Sequence, residues 1–164
     1  MPKVNLSATS VSHFSRQDKR EQTAILAMYG MTMVTDSSMP ILVVDDSDTM
    51  FRIVRKLLNQ IGLDNVDHAT DGQVALTKMQ EKSYRLVVTD CNMQPMSGYE
   101  LLREIRTDDR LTATSILLMT ADSSVARMVQ ETDTTQYLVK PFSAQALKAK
   151  IDGLLTGEVA HAMH

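Results

Sequence analysis

Five short apolar runs, each separated from the next by a stretch long enough for a helix, restrict this chain to a small set of architectures. The first, Ile41-Leu42-Val43-Val44, is apolar throughout and β-branched at three of its four positions. A half-exposed strand would alternate apolar and polar residues, so an unbroken run suits a strand covered on both faces. Val66 to Ala69 is a weaker second strand. Leu86-Val87-Val88-Thr89, Ile116-Leu117-Leu118-Met119 and Tyr137-Leu138-Val139 are the third, fourth and fifth. Between the first two runs, Met50, Ile53, Val54, Leu57, Leu58 and Ile61 are spaced for one helix face. Gly62 stands where that helix would end. Val74, Leu76 and Met79 predict a second helix after the Asp71-Gly72 turn, and Leu101, Leu102 and Ile105 a third after Ser97-Gly98. Val125, Met128 and Val129 give only a short, weak fourth. Ser143 is placed to N-cap a last helix that faces inward with Leu147, Ile151, Leu154 and Leu155.

Strands joined by helical crossovers run parallel, with helices on both faces of the sheet. The expected fold class is therefore α/β, a doubly wound five-stranded parallel sheet. Such sheets bind ligands beyond the carboxyl ends of their strands. The residues that follow the apolar runs are thus the informative ones. They are Asp45 and Asp46 after the first, Asp90 after the third, Thr120 and Ala121 after the fourth, and Lys140 and Pro141 after the fifth.

Three carboxylates gathered on one rim repel one another. A hard divalent cation such as Mg²⁺, which prefers oxygen ligands, relieves that repulsion. It also neutralises charge on a phosphoryl group in transfer. A lysine adds a second positive charge, and a threonine hydroxyl can donate to a phosphoryl oxygen. A carboxylate is a competent nucleophile toward phosphorus and yields an acyl phosphate. The parts needed to phosphorylate an aspartate are all present. Each has a plainer reading when taken alone. Asp45-Asp46 would suit any helix N-terminus, Lys140 any solvated surface, and Thr120 any strand end. Their joint placement after successive strands favours the chemical reading.

The series Asp45-Asp46, Asp90, Thr120-Ala121 and Lys140-Pro141-Phe142 resembles the receiver domain of bacterial two-component response regulators, from about Pro40 to about Leu155. Thr49-Met50, Arg52-Ile53-Val54-Arg55, Leu57-Leu58, Asn65-Val66, Asp71-Gly72, Asn92-Met93 and Gly98 are similar to the CheY-like chemotaxis regulators within that family. The resemblance implies strand order 2-1-3-4-5 and a phosphoryl group accepted on Asp90 from a histidine kinase. It implies Mg²⁺ held by Asp46, Asp90 and the backbone carbonyl of Asn92, with Asp45 acting nearby through water. It implies that Thr120 and Lys140 contact the phosphoryl group, and that Tyr137 is the aromatic whose rotamer reports phosphorylation. The output it implies is binding rather than turnover, to a target such as the flagellar motor switch. An alternative is a phosphate sink or relay with no target of its own. The related aspartyl-phosphate phosphatases usually carry an acid two residues after the nucleophile, where this chain has Asn92.

The chain departs from the family pattern in three places. Cys91 stands where the chemotaxis regulators have tryptophan, and the chain has no tryptophan. Gln94-Pro95 replaces the usual order in the loop after Asp90. The stretch from Thr120 to Tyr137 is shorter than usual, which predicts a short or displaced fourth helix.

Composition bounds the rest. A length of 164 residues fits one domain with some additional chain. A net charge of −3 gives no footprint for nucleic acid. The single cysteine excludes an internal disulfide. No run approaches the roughly 18 apolar residues of a membrane span, and the N-terminus lacks the apolar core of a signal peptide. A cytoplasmic monomer is expected. Residues 1–39, rich in Ser, Thr and Met, read as a disordered extension, with one short amphipathic turn at Ala24, Ile25, Met28 and Tyr29 as the alternative. Residues 40–156 are expected to form the domain and 157–164 a tail, with no output domain expected after it. The four histidines are scattered, and none is assigned a role.

Overall fold

A computed structural model of the chain describes residues 37–126 and 134–155. Of the extension expected over 1–39, only 37–39 lie within it. There Met39 is buried in the core, and the Asn65 side chain donates to the Ser38 carbonyl at 2.8 Å. The rest of the extension, the 157–164 tail, and Met128 and Val129 lie outside the described residues.

Among the described residues, five strands and five helices alternate. They are β1 (Ile41–Val44), α1 (Asp48–Gln60), β2 (Val66–Ala69), α2 (Gly72–Glu81), β3 (Leu86–Asp90), α3 (Gly98–Thr107), β4 (Ser115–Thr120), α4 (Ser123–Ala126), β5 (Thr135–Val139) and α5 (Ala144–Leu155). All strand pairs are parallel, as the alternation of strands and helices predicts, and the sheet order is β2-β1-β3-β4-β5, as the family resemblance implies. β1, β3 and β4 are buried along their whole length, the reason their runs are almost wholly apolar. Alternate strand residues feed two cores. Ile41, Val43, Val88, Leu117 and Met119 pack with Val54 and Leu58 of α1 and Leu147 and Ile151 of α5. Leu42, Val44, Val87, Ile116 and Leu118 pack with Ala75 and Met79 of α2 and Leu101 and Ile105 of α3.

Local chemistry sets the helix ends. Ser47 caps α1 by accepting from the Met50 amide at 3.2 Å. At its other end Gly62 takes φ +88°, with Leu63 N–H donating to the Leu58 carbonyl and Gly62 N–H to that of Asn59. That pairing satisfies two carbonyls that the helix leaves open, and the left-handed backbone it needs is open to glycine at little cost. Asp71 caps α2 through its Oδ1. Ser97 and Glu100 form a reciprocal capping box on α3. Ser143 accepts from the Ala146 amide at 3.1 Å, the cap expected for α5.

Two apolar residues expected inward lie outward. Ile53 is 47% exposed and Val74 37% exposed. On α1, Val54 and Leu58 sit four residues apart on the buried line, and Ile53 stands about 100° around the axis from Val54. On α2, Ala75 and Met79 take the buried line instead of Val74. Strands β3 and β4 run one residue further than the apolar runs indicate, so Asp90 and Thr120 are their last residues. Arg106 of α3 was not singled out by the sequence pattern. Its guanidinium donates to the carbonyls of Thr112, Thr114 and Thr134 and to Thr135 Oγ1, all between 2.8 and 3.0 Å, at the amino ends of β4 and β5. Among the described residues, no helix is long and apolar enough to cross a membrane.

Candidate active site at the carboxyl edge of the sheet

The carboxyl ends of β1, β3, β4 and β5 bring together the residues singled out after the apolar runs. One carboxylate oxygen from each of Asp45, Asp46 and Asp90 lies within 4.8 Å of the others. Asp45 is 1% exposed and Asp90 8%, whereas Asp46 is open to solvent. Asp45 Oδ1 accepts from the Ser47 amide at 2.9 Å, and Oδ2 is buried with no partner. Lys140 comes from the far side of β4 to place Nζ 2.8 Å from Asp90 Oδ1. Asn92 lines one open cleft with Asp46, Met93, Gln94 and Ser97. Thr120 is buried, and its Oγ1 accepts from the Asp122 amide at 3.1 Å. Its own proton faces the Asp122 carbonyl at 3.3 Å, a long and weak bond.

Backbone contacts build the rim. The Asp45 amide donates to the Ala69 carbonyl, the last rung between β1 and β2. The Cys91 amide donates to the Met119 carbonyl, carrying the β3–β4 ladder past Asp90, and the Lys140 amide donates to the Thr120 carbonyl. Both Gln94-Pro95 and Lys140-Pro141 are cis. Cys91 packs inside the second core, where burial pushes its thiol up. Tyr137 is half-buried against that core, with the Lys150 ammonium 5.2 Å from its ring centre.

Burial pushes the Asp45 carboxyl above its ordinary value. The charges of Asp90 and Asp46 add to the rise, against the pull of the Ser47 amide and Lys140. A raised value in the folded state means that folding favours the protonated acid. The metal-free protein therefore loses stability as pH rises from about the unfolded carboxylate value through the higher folded one. At neutral pH this carboxylate is a cost. Asp45→Asn is expected to raise the stability of the metal-free protein by about 1 kcal/mol, or several degrees in thermal unfolding, while weakening any Mg²⁺-dependent stabilisation.

The sequence matches the response regulator receiver domain over residues 41–152. The chain belongs to that family. It is 39% identical to the chemotaxis protein CheY-3 of Vibrio cholerae over 124 residues, 74% of this chain and 95% of that one. It is 40% identical to the chemotaxis protein CheY of Pseudomonas aeruginosa over 116 residues, 70% and 94% of the two chains. The solved structure of CheY4 of Vibrio cholerae superposes with a TM-score of 0.61 at 29% identity, covering 71% of this chain and 98% of that one. This receiver thus has a CheY-like fold and is a component of two-component signal transduction.

Receiver domains hold Mg²⁺ at an acidic site, and the residues here fit that ion. The donors are all oxygen, three of them carboxylates, and one buried carboxylate oxygen has no protein partner.

Proposed function

We propose that this receiver accepts a phosphoryl group on Asp90 from a histidine kinase and answers by binding a target protein, in chemotaxis. The observation that carries this reading is the Lys140–Asp90 pair at 2.8 Å beside three clustered carboxylates. A lysine that already touches the acceptor stands where the incoming phosphoryl oxygens will be.

An oxygen of Asp90 attacks phosphorus, the bond from phosphorus to the donor's nitrogen breaks, and that nitrogen keeps the electron pair. Asp46, Asp90 and the Asn92 carbonyl, with Asp45 beside them, would hold Mg²⁺, which would supply positive charge to neutralise the phosphoryl oxygens. Lys140 exchanges its partner, from the lost carboxylate charge to a phosphoryl oxygen. Thr120 releases the 3.3 Å bond to Asp122 and turns its proton to another. Little is lost in breaking so long a bond, which makes Thr120 a light trigger. Tyr137, across the β4–β5 ladder from Leu118, follows as the side-chain switch. The two states differ in these contacts, and phosphorylation shifts the population between them. The output is binding and not turnover of a substrate. The chemotaxis relatives, matched over nearly their whole length, support a target such as the flagellar motor switch.

The test is intact mass after incubation with acetyl phosphate. One phosphoryl gain that requires Mg²⁺ supports the reading, and no gain with Mg²⁺ present refutes it. Lys140→Ala is expected to accept the group while losing its output. Binding to target in the presence of beryllofluoride should fall at least about tenfold, the worth of a charge-assisted hydrogen bond. A variant that binds target as the native protein does would remove Lys140 from the switch.

A further inference from the structure

We propose that His68 is a positioning residue for the acidic pair, fixing the peptide group between Asp45 and Asp46 in the orientation a divalent cation needs. The inference rests on the reading of the site as a Mg²⁺ centre.

The β1–β2 ladder ends at the Asp45 amide, which donates to the Ala69 carbonyl at 3.0 Å. β2 itself ends at Ala69, and the chain turns at once into the Asp71 cap of α2. The next rung would need an amide from β2 to serve the Asp45 carbonyl. In place of that amide stands the His68 ring, with Nε2 2.9 Å from the carbonyl oxygen. A carbonyl can only accept, so Nε2 carries the proton.

The ring is held in that pose by a second contact. Phe51 stacks on it with ring centres 3.9 Å apart and planes within 6°. Phe51 lies in the first turn of α1, where its own amide donates to the Ser47 carbonyl at 2.9 Å. Ser47 also donates its amide to Asp45 Oδ1. The end of β2, the end of β1 and the start of α1 thus close on one peptide group.

That peptide joins the two Cα atoms that carry the Asp45 and Asp46 carboxylates. Because the peptide is planar, holding its carbonyl fixes ψ of Asp45 and φ of Asp46, the torsions through which the chain leaves β1. One hydrogen bond to its carbonyl therefore steadies the backbone from which both ligands project. Octahedral Mg²⁺ tolerates little error in ligand placement, so the ion reads this orientation closely. A side chain that merely filled the core would have no reason to direct a nitrogen at this oxygen.

Three variants separate the hydrogen bond from the packing. His68→Phe keeps an aromatic face for Phe51 and removes the donor. His68→Gln keeps an N–H donor and removes the ring. Phe51→Leu keeps the donor and unseats the ring. The measurements are the Mg²⁺ dissociation constant by calorimetry, on unphosphorylated protein with the metal alone, and thermal unfolding without metal. His68→Phe is expected to unfold near the native temperature and to bind Mg²⁺ about fivefold more weakly, the worth of one ordinary hydrogen bond. His68→Gln should stay within about twofold of the native constant if the donor alone matters. Native affinity in His68→Phe, or an equal loss in His68→Phe and His68→Gln, overturns the positioning role while leaving the site intact. Should His68→Phe fail to fold, Phe51→Leu decides: weaker binding supports the role and unchanged binding overturns it. Native protein that takes up no Mg²⁺ overturns the reading of the site, and the positioning role with it.

Discussion

Asp90→Asn is expected to reduce phosphoryl uptake to background. The amide that replaces the carboxylate is neutral, so its oxygen lacks the anionic charge that makes Asp90 a nucleophile toward phosphorus. The substitution is nearly isosteric, so the 8% exposed end of β3 is refilled without a cavity. It also removes one of three clustered negative charges while leaving Lys140 a neutral acceptor. The thermal midpoint should therefore move by no more than a few degrees, about 1 kcal/mol, while labelling disappears. Intact mass after acetyl phosphate and Mg²⁺, read beside thermal unfolding, separates loss of the acceptor from loss of the fold. Full labelling of the variant would place the acceptor elsewhere.

Gly98→Ala is expected to be the most disruptive small substitution in the domain. A Cβ on Gly98 would stand 2.2 Å from the Asp90 carbonyl oxygen and 3.1 Å from Cys91 Cα. All of these are backbone atoms, so no side chain can swing aside. The Gly98 amide also donates to the Cys91 carbonyl at 3.1 Å, which holds the start of α3 against the end of β3. Either α3 retreats from the second core or the acceptor strand bends. The expected loss is about 3 kcal/mol, or about 10–20 °C in thermal midpoint. Phosphoryl uptake should fall as well, because the displaced residue is Asp90 itself. Gly153→Ala is the control. There an added Cβ would come no closer than 3.5 Å, to the Gln136 amide nitrogen. The change should be neutral or stabilising by about 0.5–1 kcal/mol, since alanine is the better helix former. Equal losses in the two variants would mean that the close approach at Gly98 does not govern stability.

The strands were legible because a parallel sheet covered on both faces demands apolar residues at every position. β1 meets that demand in full, β3 over Leu86–Val88 and β4 over Ile116–Met119, and the strand order left Asp45, Asp46, Asp90, Thr120 and Lys140 at one edge. The caps at Ser143 and Gly62 were legible for a local reason, since each acts within a few residues of itself. What stayed hidden depends on how elements approach one another. Ile53 and Val74 have apolar side chains and plausible spacing, yet only the packed helix axis decides which side faces the sheet. Gly98 matches a turn in the sequence, but its reason is the Asp90 carbonyl, which the fold alone brings to it. His68 looked like one of four unrelated histidines. Its partners are Asp45, 23 residues away, and Phe51, and the register Val43↔His68 is what aligns them. Arg106 gave no signal at all, because its acceptors are mostly main-chain carbonyls, which every residue has.

Those Arg106 contacts give β5 the mechanics of a lever. Its amino end is bolted by one guanidinium to Thr134 and Thr135, and the same group grips the approach to β4. Its other end, about 15 Å away, carries Lys140 and the Asp90 contact. With that end anchored, a pull on Lys140 in the proposed switch would fall on the last rung of the β4–β5 ladder, where the Lys140 amide donates to the Thr120 carbonyl.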